Sequence, residues 1–100
     1  MVKEVNDVRA ISEGNVLVDF YTGSCAPCKA MSPILEEISE EFDDVKITKI
    51  DVTRNPDVSQ KFGVMSVPTI IFMTDSKVRD TVCGMSNKST ITSIIKKLYR

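Results

Sequence analysis

The fold of this chain is decided by one stretch, residues 15–29, which reads Asn15-Val16-Leu17-Val18-Asp19-Phe20-Tyr21-Thr22-Gly23-Ser24-Cys25-Ala26-Pro27-Cys28-Lys29. Residues 16–21 are apolar except for Asp19 and show no alternation with polar residues. This pattern predicts a central strand that is buried on both faces. Residues 22–24 end the strand, and two cysteines with two residues between them follow at once.

The residues that follow the cysteine pair predict a long amphipathic helix. Apolar side chains recur at steps of three and four residues, at Ala30, Met31, Ile34, Leu35, Ile38 and Phe42. The helix would have about 17 residues. Its solvated face would carry Glu36, Glu37, Glu40 and Glu41. Pro33 lies inside this helix, where a proline is expected to cause a kink.

Strands and helices continue to alternate beyond this helix. Residues 45–52 predict a second strand. Asn55 and Pro56 predict an N-cap and the first position of a short helix that ends near Phe62. Residues 67–73 predict a third strand, which includes a proline at its beginning.

The two ends of the chain complete the pattern. Residues 77–83 carry polar side chains that suit an edge strand, and Asn87 is expected to cap a final helix. Residues 2–5 give a weaker signal for another edge strand, followed by a short helix over residues 8–11.

The predicted order is therefore β-α-β-α-β-α-β-β-α, in a single domain that spans residues 1–100. The alternating first part predicts parallel strands with right-handed crossovers, whereas the final hairpin must be antiparallel. The fold class is α/β, with a mixed central sheet of about four to five strands flanked by helices.

Composition excludes several classes of function. The 13 basic and 14 acidic side chains give a net charge of −1, so there is no basic excess to bind nucleic acid or an anionic membrane. Histidine is absent, which removes Ser-His and Cys-His nucleophile pairs. The N-terminal residues lack a signal-peptide pattern, and no apolar run approaches the ~20 residues of a membrane span. We therefore expect a cytoplasmic protein, and we expect a monomer because the sequence shows no large exposed apolar stripe.

The two cysteines of the Cys25-Ala26-Pro27-Cys28 segment predict redox chemistry. At the first turn of a helix, unpaired N–H groups and the helix dipole favour a thiolate on Cys25, and the thiolate is the nucleophilic form. Cys28 would face Cys25 one turn further on and be partly shielded. It could then attack a mixed disulfide formed on Cys25. Pro27 suits an early helical position because its missing N–H has no partner there.

The same cysteine pair could instead hold a metal or be two ordinary buried thiols. A zinc or iron–sulfur site needs two more soft ligands. The chain offers only Cys83 and no histidine, so we expect no metal site and no bound cofactor. A cluster shared between two chains stays open, but the position of the pair after a strand favours the redox interpretation.

The chain resembles the thioredoxin family, whose motif is Trp-Cys-Gly-Pro-Cys-Lys. The corresponding residues here are Ser24-Cys25-Ala26-Pro27-Cys28-Lys29. The resemblance extends to Val18-Asp19-Phe20, Lys49-Ile50-Asp51, Asn55-Pro56, Val67-Pro68-Thr69 and Gly84, and it covers essentially all 100 residues. The order of elements predicted above is that of the thioredoxin fold.

The resemblance implies that Cys25 is the attacking nucleophile and Cys28 the resolving thiol in the reduction of protein disulfides. It also implies that Asp19, with its pKa raised by burial, accepts the proton of Cys28, and that Lys49 moderates this shift. Pro68 matches a cis-proline. The substrate groove would be formed by Ser24, Ala26, Pro27, Val67, Pro68 and Gly84. An external reductase, flavin- and NADPH-dependent, would restore the dithiol.

The chain departs from the family at several positions. Ser24 replaces the motif tryptophan, Ala26 replaces a glycine, and Tyr21 stands where a second tryptophan usually sits. Two alternatives therefore stay open: a glutaredoxin-like oxidoreductase, and a binding module whose thiols are not used. We expect Cys83 to be an ordinary small apolar residue at a strand end, although a thiol that faces a partner is the alternative.

Overall fold

The computed structural model describes residues 1–100. The elements are, in chain order, β1 (Lys3–Glu4), a 3₁₀ helix (Val8–Ile11), β2 (Asn15–Tyr21), α1 (Ala26–Glu41), β3 (Lys46–Asp51), α2 (Pro56–Lys61), β4 (Thr69–Thr74), β5 (Lys77–Cys83) and α3 (Lys88–Tyr99). This order confirms the predicted one, with a 3₁₀ helix as the first helical element. None of the helices combines the length and the apolar character that a membrane span requires.

The five strands form one mixed sheet in the order β1-β3-β2-β4-β5. Strands β1, β3 and β2 are parallel to one another. Strand β4 is antiparallel to β2, and β5 is antiparallel to β4. The central position of β2 explains why its sequence is apolar without alternation, since both of its faces are buried.

The direction of β4 differs from the parallel arrangement expected for strands linked by helices. Helix α2 and strand β3 have six residues each, but the helix is only about 9 Å long and the strand about 20 Å. The helix is therefore too short to return the chain to the other end of β3. The connection therefore stays at one end of the sheet: the Val52 N–H donates to the Tyr21 carbonyl, and Thr69 pairs with Phe20. The chain then runs back along β2 in the opposite direction.

The core consists of two apolar clusters, one on each face of the sheet. Leu17 packs with the α1 and α3 side chains, whereas Val16, Val18 and Phe20 pack in the cluster that includes Val58 of α2. Because side chains alternate along a strand, Asp19 and Tyr21 share the face of Leu17. The side chains of the site are therefore on the α1 side of the sheet.

Helix α1 buries a stripe that begins with the second cysteine, formed by Cys28, Met31, Leu35 and Ile38. Ala30, which we expected on this face, is exposed. The spacing of the stripe explains this, since Ala30 lies about 100° around the helix from Met31. Pro33 lies inside α1 as predicted.

The two predicted asparagine caps behave differently. Asn87 accepts a hydrogen bond from the Thr90 N–H at 2.9 Å and caps α3, which confirms the prediction. Asn55 occupies the N-cap position of α2 but makes no side-chain capping bond. Its amide instead donates to the Asn6 side chain and to the Asp51 carbonyl, because the buried Asn55 side chain points back toward β3.

Candidate active site

The cysteine pair lies at the beginning of α1, just after the central strand β2 ends. Cys25 is the N-cap of α1, and its sulfur accepts a hydrogen bond from the Cys28 N–H at 3.1 Å. Ala26 and Pro27 occupy the first two helical positions, as predicted for Pro27. The two cysteines form a disulfide, with their Cα atoms 5.2 Å apart.

The two linked cysteines differ in exposure. Cys28 is 4% exposed, whereas Cys25 is only partly buried. The difference follows from helix geometry, since Cys28 belongs to the stripe of α1 that faces the sheet and Cys25 lies at the helix end. The predicted shielding of Cys28 is confirmed.

The Val67–Pro68 peptide is cis, as the resemblance implied. The Pro68 carbonyl accepts a hydrogen bond of 2.8 Å from the Gly84 N–H. Gly84 has a φ of +86°, a backbone conformation that favours glycine. A Cβ at this position would meet no other atom of the chain within 4 Å, so the positive φ is what favours glycine within the chain itself.

The residues predicted to form the groove lie at the same end of the sheet as the cysteines. Thr69, which follows the cis-proline, pairs with Phe20 near the end of β2, and Cys83, which precedes Gly84, pairs with Thr69. The three groove residues of the cysteine segment, Ser24, Ala26 and Pro27, are exposed, Val67 and Gly84 are partly buried, and Pro68 is buried. A shallow cavity of about 220 Å³ joins Thr22 to Val67.

Asp19 is a buried acid with little polar support. Its side chain is 4% exposed, and its Oδ1 atom has no hydrogen-bond partner. Burial raises the pKa of Asp19 from 3.8 to about 7; the positive charge of Lys49 opposes this rise and the negative charge of Glu4 adds to it. The expectation of a raised pKa is confirmed.

A cavity of about 230 Å³ connects this acid with the second cysteine. Its lining consists of Asp19, Tyr21, Thr22, Gly23, Cys28, Lys29, Ser32 and Lys49. This cavity is large enough for water molecules, which would provide a path for a proton between the Cys28 sulfur and the Asp19 carboxyl group.

Lys49 does not form an ion pair with Asp19. Its Nζ atom lies 3.9 Å from Glu4 Oε1 and 5.4 Å from the centre of the Tyr21 ring. Lys49 therefore moderates the pKa of Asp19 through its charge, as expected, but without direct contact.

Two further residues lie beside the acid that sequence analysis did not assign to the site: Glu4 and its hydrogen-bond partner Tyr21. The Tyr21 hydroxyl donates to the Glu4 carboxylate, with its oxygen 2.7 and 2.6 Å from the two carboxylate oxygens. Burial, and next this hydrogen bond, raise the pKa of Tyr21. The replacement of a family tryptophan by Tyr21 was the only available signal, because the partner of a hydroxyl depends on the register of β1.

Two other cysteine-related expectations can be compared with the structure. Cys83 is at the end of β5, as predicted, but it is exposed rather than packed, and it forms no disulfide. No group of three or more His, Cys, Asp or Glu side chains in residues 1–100 has an arrangement that could hold a metal ion.

A family model described as Thioredoxin matches residues 3–97. The chain belongs to the thioredoxin family. It is 43% identical to a thioredoxin of Listeria monocytogenes over 101 aligned residues, which cover 97% of this chain and 98% of that protein. It is 42% identical to a thioredoxin of Bacillus subtilis over 87 residues, which cover 86% and 84% of the two chains.

The thioredoxin fold is also found in solved structures that resemble this one. A mutant thioredoxin of Halobacterium salinarum superimposes with a TM-score of 0.93 at 26% identity, over 99% of this chain and 91% of that one. Together with the cysteine pair, these similarities show a thiol–disulfide oxidoreductase with protein-disulfide reductase activity. The family implies protein substrates and a thioredoxin reductase as partners. It also favours a thioredoxin over the glutaredoxin-like alternative.

Proposed function

We propose that this thioredoxin reduces protein disulfides with Cys25 as the attacking thiolate and Cys28 as the resolving thiol. The unequal exposure of the two sulfurs carries the proposal. A target disulfide can reach Cys25 at the end of α1, whereas Cys28 can react only with a sulfur that is already bound to Cys25. The Cys28 N–H, which donates to the Cys25 sulfur, would also stabilise the thiolate in the reduced protein.

The proposed reaction has two exchange steps. In the first, the Cys25 thiolate attacks the target, the target S–S bond breaks, and one target sulfur leaves as a thiolate. In the second, Cys28 loses its proton and attacks the Cys25 sulfur, which releases the other target sulfur and closes the Cys25–Cys28 disulfide. Two electrons pass to the target, whose two sulfurs take up protons.

Asp19 is the proposed acceptor of the Cys28 proton. A pKa of about 7 leaves a substantial fraction of this carboxyl group ionised at neutral pH, which is the range in which a general base works best. The cavity shared by Asp19 and Cys28 offers the route for the proton. Lys49 contributes a positive charge that keeps the pKa from rising further.

We propose that the target segment binds in the groove of Ser24, Ala26, Pro27, Val67, Pro68 and Gly84. The backbone of the partly buried Val67, before the cis-proline, would pair with an extended chain, and the small Ser24 and Ala26 side chains would let a target reach the Cys25 sulfur. Since a tryptophan is absent at position 24, the groove relies on the backbone more than on an aromatic contact.

The remaining parts of the proposal concern the cellular setting. The reductase that returns two electrons to the Cys25–Cys28 disulfide is proposed to be flavin-dependent and to use NADPH. The protein is proposed to act as a cytoplasmic monomer. It needs no bound cofactor in this scheme, since both electrons are stored in the dithiol.

The test is to trap the intermediate on a small disulfide-linked protein such as insulin. In a Cys83→Ser background, the reduced Cys28→Ser variant should accumulate a covalent adduct through Cys25, which mass spectrometry of peptides can locate. The matched Cys25→Ser variant should form no adduct and lose reductase activity. If the wild-type protein does not reduce the target and Cys28→Ser forms no adduct, the result would instead indicate a binding module whose thiols are not used.

A further inference from the structure

Three charged residues lie in one row across the parallel part of the sheet. Glu4 of β1 is in register with Lys49 of β3, and Lys49 is in register with Asp19 of β2. Side chains in register on adjacent parallel strands leave the sheet on the same face. A carboxyl group, an ammonium group and a second carboxyl group therefore lie side by side on the face that carries Cys28.

Within this row, the Lys49 ammonium group lies on the Glu4 side rather than on the Asp19 side. Lys49 Nζ is 3.9 Å from Glu4 and lies over the Tyr21 ring, whereas no ion pair joins it to Asp19. Tyr21 in turn donates to the Glu4 carboxylate, which fixes that group over the row. Asp19 is left with an Oδ1 atom that has no hydrogen-bond partner.

We propose that Glu4 is a positioning residue that holds the Lys49 ammonium over Tyr21 and away from Asp19, and so sets the pH at which Asp19 accepts the proton of Cys28. This inference deepens the proposed function and rests on the role that it gives to Asp19. Glu4 does not itself line the cavity, but it contacts two residues that do, Tyr21 and Lys49. Its influence is exerted through Lys49 and through its own charge.

Few charged groups lie around Asp19. Lys49 faces it from β3, Glu4 lies beyond Lys49 on β1, Tyr21 adjoins it on β2, and Cys28 and Lys29 of α1 line the same cavity. Strand β4 contributes only the apolar Ile70 opposite Asp19. Lys49 is thus the cation of the row, and its position decides how strongly an unsupported carboxylate is stabilised.

Removing the Glu4 charge has two effects of the same sign. A negative charge about 10 Å from Asp19 disappears, two strand spacings away, and Lys49 becomes free to approach Asp19. Both effects favour the ionised carboxylate. Because Glu4 and Lys49 are 40% and 35% exposed, solvent screens part of the interaction. We expect Asp19 to titrate at a pH lower by at least about half a unit.

The experiment uses Glu4→Gln, because a glutamine oxygen can still accept the Tyr21 hydrogen bond while the charge is lost. Two quantities are measured as a function of pH in the reduced protein: the NMR chemical shift of the Asp19 side-chain carboxyl carbon, and the rate at which Cys28 resolves a mixed disulfide on Cys25. Glu40→Gln is the matched control, since Glu40 is an exposed carboxylate on α1 with no ion pair.

A double-mutant cycle with Lys49→Gln separates positioning from direct charge. If Glu4 acts by positioning Lys49, Glu4→Gln shifts both pH midpoints downward by at least about half a unit, and the shift becomes smaller in the Lys49→Gln background. An equal shift in both backgrounds would overturn the positioning role, and so would the absence of any shift relative to Glu40→Gln.

The role of Asp19 itself is tested separately by Asp19→Asn. If this change leaves the pH dependence of the resolution rate unaltered, the proposed function is wrong at that point. If Asp19→Asn removes the dependence but Glu4→Gln does not move it, only the inference about Glu4 is wrong. The inference would also be refuted if, in the Asp19→Asn background, Glu4→Gln still shifted the pH midpoint of the resolution rate.

Discussion

Replacing Asp19 by asparagine is expected to make the folded protein more stable above neutral pH, by an amount that the structure allows to be worked out. In the unfolded chain this carboxyl group titrates near 3.8, whereas in the folded protein burial raises its pKa to about 7. Between these values the folded state retains a proton that the unfolded state has lost. The free energy of unfolding therefore falls as the pH rises, and the loss is complete above the folded pKa.

The size of this loss follows from the interval between the two pKa values. At about 1.4 kcal/mol for each pH unit, the step from 3.8 to about 7 amounts to about 4 kcal/mol. An asparagine has no titrating proton, so the free energy of unfolding of the variant does not fall with pH for this reason. The stability of Asp19→Asn relative to wild type should therefore rise by about 4 kcal/mol between about pH 4 and pH 8.5.

The assay is urea unfolding followed by far-UV circular dichroism, with both proteins oxidised so that the disulfide is the same. The chain has no tryptophan, so fluorescence is less suited. Comparing the pair at two pH values cancels any constant effect of exchanging a carboxyl for an amide group. Asp43→Asn, at an exposed position, is the matched control. A relative stability that does not change with pH would refute the reasoning.

Three further changes test the packing and backbone around the site by the same unfolding assay. Gly84→Ala should lower the free energy of unfolding by about 1–2 kcal/mol, because φ is +86° although space for a Cβ exists. Ile38→Ala should cost about 2–5 kcal/mol, since this side chain of α1 is fully buried in the core cluster. Asn87→Ala should cost about 1 kcal/mol through loss of the α3 cap.

Features that depend on local sequence patterns were predicted well. The apolar stretch of β2 predicted a strand buried on both faces, and the position of the cysteine pair after it predicted that Cys28 would be shielded. Asn87 before an amphipathic segment predicted a real cap. In each case the residues that decide the structure are within a few positions of one another, so that their spacing is sufficient.

Features that depend on distant residues could not be predicted from the same patterns. The direction of β4 depends on which end of the sheet the connection through α2 occupies, and this emerges only from the assembled sheet. The side chain of Asn55 makes contact with Asn6, 49 residues away. The row of Glu4, Lys49 and Asp19 depends on the register of a two-residue strand, β1, whose sequence has hardly any signal.

The charge row also bears on why the central strand keeps an acid at all. At neutral pH the buried carboxyl group of Asp19 costs several kcal/mol, a large share of the roughly 5–15 kcal/mol by which domains are stable. A closer ion pair with Lys49 would reduce that cost, but it would also lower the pKa and weaken Asp19 as a base for Cys28. By holding Lys49 on the other side, Glu4 and Tyr21 would preserve the proton affinity that the proposed resolving step requires. In this mechanism, moving the Lys49 ammonium group toward Asp19 would raise the stability of the fold and lower the basicity of Asp19 toward Cys28.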